Sequence, residues 1–245
     1  MLAEYFERER AAGRALVAAI VIGTEGSTYR KPGALMLFGR GGERRGLLSG
    51  GCLEADLRER ALRLLTAAGT VPRLEVASYD SRGSDDPVWG LGLGCEGLMR
   101  IALLRVDAAS GYEPLAYAFA REARRESGAW ALALGESAPA GRCWHAGMSA
   151  GDALDATAIE ACRERARRGG AGLQRLGNVD IFTTAIERAP ALLVCGAGPD
   201  AEPVRRLGGP ARLARRRSSI TALHTSMLPR FPRARVAAAR CRGTG

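Results

Sequence analysis

Six consecutive residues, Ser49-Gly50-Gly51-Cys52-Leu53-Glu54, hold the sharpest chemical potential in this 245-residue chain. A helix follows the glycines, because Leu53, Leu57, Ala61, Leu64 and Leu65 recur at helical spacing with Glu54, Asp56, Arg58, Glu59, Arg60 and Arg63 between them. A thiol in the first turn of a helix sits among backbone N–H groups without an intrahelical acceptor and at the positive end of the dipole. Both effects lower its pKa and favour a bound anion such as phosphate. Cys52 is on this reading a thiolate beside a phosphate cradle made by Ser49, Gly50 and Gly51. The competing reading is packing: an arbitrary cysteine is more often an inert small hydrophobe behind a helix, and the serine and glycines before it bring the two readings level.

A second thiol stands in Gly90-Leu91-Gly92-Leu93-Gly94-Cys95-Glu96-Gly97, where glycine alternates and the backbone is free to approach another group closely. Gly92, Gly94, Cys95 and the neighbouring carboxylate Glu96 are therefore candidates of second rank. Cys52 and Cys95 have no C-x-x-C spacing and Cys143-Trp144-His145 is an isolated C-x-H, so no structural zinc site is expected. Arg30 and Lys31, in a turn-rich loop, suit phosphate or other anionic oxygens, although a solvated loop cation is the commoner role. Gly196-Ala197-Gly198-Pro199-Asp200-Ala201 is a short dinucleotide-type pattern, with Gly196 and Gly198 as its candidates. It lacks the acid about 20 residues on that would hold a ribose, which makes nucleotide binding there doubtful.

The elements that must position these residues follow from periodicity. Leu2 to Ala12 reads as a short helix, and Ala15 to Ile22 as a buried strand, since it is apolar without interruption until Gly23. The loop Gly23 to Gly33 separates it from a second apolar run, Ala34 to Phe38, and Gly39 to Gly42 is a turn. Leu47 and Leu48 read as a short strand leading into the serine-glycine turn. Leu74 to Ala77 and Leu98 to Val106 read as strands, Tyr112 to Glu126 and Ala156 to Arg168 as helices, and Ala191 to Cys195 as a buried strand opening a Rossmann helix. The fold class is α/β: an N-terminal α/β domain over 1–106, a connecting α/β region over 107–189, and the start of an incomplete Rossmann-like domain over 190–207. After Gly208 the sequence offers no apolar run resembling a strand, so 208–245 is expected to be a basic, disordered tail.

Charge has to be located before it is interpreted. The formal net charge is +10, yet residues up to Val204 carry 25 basic and 26 acidic side chains, while the remainder carries eleven arginines and no acid. A basic nucleic-acid-binding protein is thus suggested by the tail alone, and its clustered Arg215-Arg216-Arg217 lacks interleaved aromatics. No nucleic-acid partner is expected for the body. The first residues are charged from Glu4 on and lack a secretory h-region, no stretch reaches the length of a membrane span, and six scattered cysteines do not make a disulfide scaffold. A reduced cytoplasmic protein with no membrane partner is the expectation.

Four segments taken together resemble the XdhC/CoxI family in order and spacing: Gly26 to Gly33, Ser49 to Glu54, Trp89 to Cys95 and Leu193 to Ala201. The resemblance runs from about Ala15 to Leu207. It implies an N-terminal cofactor-handling domain and a C-terminal Rossmann domain in an accessory protein, not an enzyme. Such a protein binds molybdenum cofactor (molybdopterin), protects it during sulfuration by a cysteine desulfurase, and delivers it to an apo-molybdoenzyme of the xanthine dehydrogenase or carbon monoxide dehydrogenase type. Carried onto this chain, it makes Cys52 the contact to the cofactor, with Ser49, Gly50, Gly51, Glu54 and Arg30 around it. No residue is expected to bind a metal ion directly; a homodimer is compatible. An NAD(P)-dependent oxidoreductase is the alternative that the glycine pattern suggests. After Leu207 the chain departs from the family, where a second strand ending in a motif like Asp-His-Arg-Pro-Ala-Tyr is due. An offset reading frame starting at the third base of the Ser219 codon permits that motif, so the tail is hypothesised to be an out-of-frame translation.

Overall fold

The computed structural model describes residues 2–49, 51, 53–66, 73–80, 97–135, 140–188, 191–195, 203 and 220–224. They form two compact units, 1–187 and 188–245. The boundary read from the sequence at residue 106 falls inside the first.

Helix α1 (Leu2–Ala11) leads into β1 (Leu16–Gly26), followed by β2 (Leu35–Phe38), β3 (Arg44–Arg45), α2 (Glu54–Thr66), β4 (Leu74–Asp80) and β5 (Gly97–Val106). The five strands make one antiparallel sheet in the order β3-β2-β1-β5-β4. β1 lies at its centre, and both of its faces are covered. Leu16, Ala18, Ile20 and Ile22 enter one core, whereas Val17, Ala19 and Val21 enter another with Leu57, Ala61, Leu64 and Leu65 of α2. Side chains alternate across a strand, so an uninterrupted apolar run is what two covered faces require. α2 buries its i, i+4 stripe on this sheet, each fully buried leucine contributing about 1.5–3 kcal/mol.

The stretch read as a weak connecting region builds a second sheet. After a short 3-10 turn come α3 (Leu115–Ala123), β6 (Gly128–Leu134), β7 (Cys143–His145), α4 (Ala153–Arg168), β8 (Ala171–Leu176) and β9 (Val179–Ile186), with the antiparallel order β7-β6-β9-β8. Trp130, Leu132, Leu134 and Phe182 face the first sheet's core, which also holds Phe6 of α1 and Phe119 of α3. Ala129, Ala131, Ala133 and Ile181 face the opposite way, onto Ala158, Ile159 and Cys162 of α4. The unit is thus layered as α2, sheet, sheet, α4. α4 starts at Asp152, whose carboxylate accepts the N–H of Asp155 at 2.8 Å, an ordinary N-cap.

Two expectations are corrected. Leu47 and Leu48 do not form a strand; on its outer side β2 pairs with the two-residue β3, and Leu48 is buried in the core that α2 covers. The stretch 208–245, read as lacking strands, contains β11 (Ile220–His224), which pairs antiparallel with β10 (Ala191–Cys195) from Ala191↔His224 to Cys195↔Ile220. Ile220 and Thr221 are β-branched and suit a ladder, and short strands of this kind are easily lost among arginines. The described part of the second unit is therefore an antiparallel pair, unlike the parallel strands of a Rossmann crossover. The mixed α/β class stands.

Candidate functional site

Ser49 ends the link from β3, and the turn that follows opens α2 at Glu54. Glu54 is 1% exposed and points back at the turn. Its Oε1 accepts the backbone N–H of Ser49 at 2.9 Å and its Oε2 accepts the Ser49 hydroxyl at 2.6 Å. Ser49 Oγ in turn accepts the N–H groups of Gly51 at 3.1 Å and Leu53 at 3.3 Å. Burial alone pushes the Glu54 carboxyl up, but the hydroxyl and N–H of Ser49 and the nearby Arg44 outweigh it and hold the group below its ordinary value. Gly51 is exposed at φ +125°, and a Cβ there would meet nothing within 4 Å. Its backbone conformation requires glycine, and the space beside it is open.

Arg30 reaches this turn from a loop 17 residues earlier. Its Nε donates to the carbonyl of Leu47 at 3.2 Å, two residues before Ser49, while its guanidinium lies 5.4 Å from the Tyr29 ring centroid. Thr28 Oγ1 donates to the Arg30 carbonyl at 3.0 Å and so shapes the loop. The loop returns at Gly33, φ +94°, where a Cβ would come within 3.0 Å of Thr184 Oγ1 on the second sheet. Exposed Tyr29 (53%) and Leu47 (37%) flank Arg30.

Gly97, the last residue of the glycine-rich segment, belongs to the same end of the sheet. It pairs with Gly26, and a Cβ on it would come within 2.6 Å of the Ser27 carbonyl and 2.7 Å of the Glu25 carbonyl. Only glycine allows this approach. Three segments distant in sequence, 26–33, 47–54 and the Gly97 end of the glycine segment, are thus anchored together. Among the sequence candidates, Ser49, Gly51, Glu54 and Arg30 are brought into this neighbourhood. Gly50, Cys52, Gly92, Gly94, Cys95, Glu96, Gly196 and Gly198 lie outside the described residues.

Residues that sequence reasoning overlooked join α2 to the sheet. Asp56 accepts from Arg60 Nε at 2.7 Å and from the Tyr79 hydroxyl, and Arg60 also pairs with Glu75 of β4. Burial first, and the Asp56 carboxylate second, raise the Tyr79 phenol. The i, i+4 spacing of Asp56 and Arg60 was a visible signal; the link to β4 was not. Elsewhere, Cys162 is fully buried and its thiol is pushed up to about 12 by burial. Cys143 is likewise pushed up to about 12, and His145 stacks on Tyr117 with centroids 3.9 Å apart. Among the described residues no group of three or more His, Cys, Asp or Glu side chains is placed to hold a metal ion. None of the described helices is long and apolar enough to cross a membrane.

Residues 9–80 match the model of the XdhC and CoxI family. This range contains Arg30 and the Ser49–Glu54 turn, and the resemblance read from the sequence is found there independently. A protein of Bacillus subtilis (strain 168) described as a probable xanthine dehydrogenase subunit is 43% identical over 90 residues, which are 37% of this chain and 26% of that protein. The crystal structure of a xanthine dehydrogenase from Bacillus halodurans superposes with a TM-score of 0.56 at 28% identity, covering 83% of this chain and 58% of the other. The chain therefore spans less than two thirds of the length of either relative.

Proposed function

We propose that this chain is an accessory factor in the maturation of a xanthine dehydrogenase-type molybdoenzyme, which it serves by binding molybdenum cofactor and handing it over without turning over a substrate. The observation that carries the reading is the convergence of Arg30, the serine-glycine turn and the Gly97 anchor within and beside the range that matches the XdhC and CoxI family. Names of the two relatives, both xanthine dehydrogenase proteins, support the client class.

The residues fit such a group. Molybdenum cofactor presents a phosphate, a planar pterin and a sulfur-ligated metal, and it asks for a cation, room for close approach and a soft thiolate. Arg30 supplies the cation, held by Leu47 and Tyr29 so that less side-chain freedom is lost on binding. Exposed Gly51 leaves the backbone open to close approach. Cys52, next in the chain, supplies the thiol, and Gly92, Gly94, Cys95 and Glu96 are proposed to complete the enclosure. When bound, the cofactor supplies the molybdenum centre on which the client depends. Proposed partners are the apo-molybdoenzyme and a cysteine desulfurase.

The test is transfer. Full-length chain isolated from a molybdopterin-producing host is mixed with a cofactor-free xanthine dehydrogenase-type enzyme, and activity is followed with time. Activation that depends on the chain and is lost in Arg30→Ala is expected. Activation equal to that given by the same quantity of released cofactor without the chain contradicts the reading.

A further inference from the structure

We infer that Ser49 and Glu54 are positioning residues that close the turn leading into α2 on itself, and that neither touches the anionic ligand; this rests on the cofactor-binding reading above. A hydroxyl has one donor and two acceptor sites. In Ser49 all three are used: the proton goes to Glu54 Oε2 at 2.6 Å, and the oxygen accepts from Gly51 N at 3.1 Å and Leu53 N at 3.3 Å. Glu54 Oε1 takes the Ser49 N–H at 2.9 Å. Both side chains are buried, 8% and 1% exposed, so neither presents a face to solvent.

Two consequences follow. A helix N-terminus attracts anions because its N–H groups and dipole are unsatisfied. Here the N–H groups of Ser49 and Gly51, ahead of the helix, and of Leu53, the residue before Glu54, are taken by the chain's own oxygens, and the Glu54 carboxylate already places a negative charge at this end. A phosphate at this turn would have to displace those bonds and approach a buried anion of like sign. These three amides are therefore not offered to a ligand, and recognition of the ligand's charge falls to Arg30, on the neighbouring loop. The second consequence is geometric: the chain is tied to a single oxygen atom at residue 51 and again at residue 53, which bracket Cys52 in sequence. Ser49 fixes the ends of the segment that carries the thiol, and Glu54 fixes Ser49.

The experiment compares full-length wild type with Ser49→Ala, Ser49→Thr, Glu54→Gln and the Ser49→Ala/Glu54→Gln double variant. Two readouts are taken: hydrogen exchange rates of the Gly51 and Leu53 amides, and pterin retained per folded protein made in a molybdopterin-competent host. Ser49→Ala is expected to speed exchange at both amides roughly tenfold, the effect of losing one buried acceptor, and Ser49→Thr is expected to restore protection. Glu54→Gln acts in the same direction. The double variant is expected to lose no more protection and no more pterin than Ser49→Ala alone, since residues acting as one unit are not additive. Unchanged amide rates in Ser49→Ala overturn the inference. So do pterin losses that multiply in the double variant, which independent ligand contacts would give. Wild type that holds no pterin overturns the cofactor reading alone, and the amide rates then still decide whether Ser49 and Glu54 position the turn.

Discussion

Replacing Glu54 by glutamine tests the buried carboxylate with almost no change of volume. Of the two bonds it receives from Ser49, at 2.9 and 2.6 Å, a glutamine carbonyl keeps one. Its NH2 group faces the other donor and cannot accept. A hydrogen bond to a charged group contributes about 1.5–3 kcal/mol, and a buried donor left without a partner adds to the loss. Glu54→Gln is therefore expected to cost about 2–3 kcal/mol at pH 7. The sign of the pH dependence follows from the depressed carboxyl of Glu54. Its folded pKa lies below its unfolded value of about 4.3, so the ionised group's contribution is fully present above that value and is lost as pH falls through the folded pKa. The gap between wild type and variant should narrow on acidification below about pH 4. Urea unfolding of both proteins, from pH 7 down to pH 3, measures this, provided the slope with denaturant is unchanged. A gap under about 0.5 kcal/mol at pH 7, within the range of an ordinary surface substitution, or a gap independent of pH, would refute the reasoning.

Arg30→Ala removes an exposed cation that, among the described residues, is held by Leu47 and Tyr29; pterin retention is expected to fall about tenfold while the thermal midpoint of the apo-protein stays within about 2 °C. Cys52→Ser is expected to lower pterin retention per folded protein more than Cys162→Ser, because Cys162 is buried against α4's neighbours with its sulfur 3.7 Å from the Trp144 carbonyl; equal retention would reduce Cys52 to packing. The out-of-frame proposal for the tail is checked by sequencing the coding DNA between Val204 and Pro232. An alternative frame encoding Asp-His-Arg-Pro-Ala-Tyr is expected, and stop codons in that frame would make the arginine-rich stretch a genuine basic arm.

Where burial imposed a strong pattern, the sequence was readable. β1 is apolar at every position from Leu16 to Ile22 because two cores claim alternate residues, and α2 is amphipathic because a single face meets the sheet. The second sheet was opaque for the converse reason. Its helix-facing positions on β6 are Ala129, Ala131 and Ala133, small residues with little strand propensity, and the pairing of β6 with β9 joins segments about 50 residues apart. At the site, the residue types of Ser49, Glu54 and Arg30 were visible, but not their allegiances. Nothing local shows that Arg30 binds a carbonyl 17 residues away, that Gly97 must fit against the Ser27 carbonyl, or that Ser49 spends its whole hydrogen-bonding capacity within the turn.

The central claim is that this chain holds molybdenum cofactor, and the pterin itself is the most direct witness. Full-length protein made in a molybdopterin-competent host is purified, oxidised, and its released pterin fluorescence is counted against folded protein, with material from a host unable to make molybdopterin as the blank. Stoichiometric pterin in wild type, falling in Arg30→Ala without loss of fold, is the predicted result. Folded wild type carrying no more pterin than the blank would contradict the account.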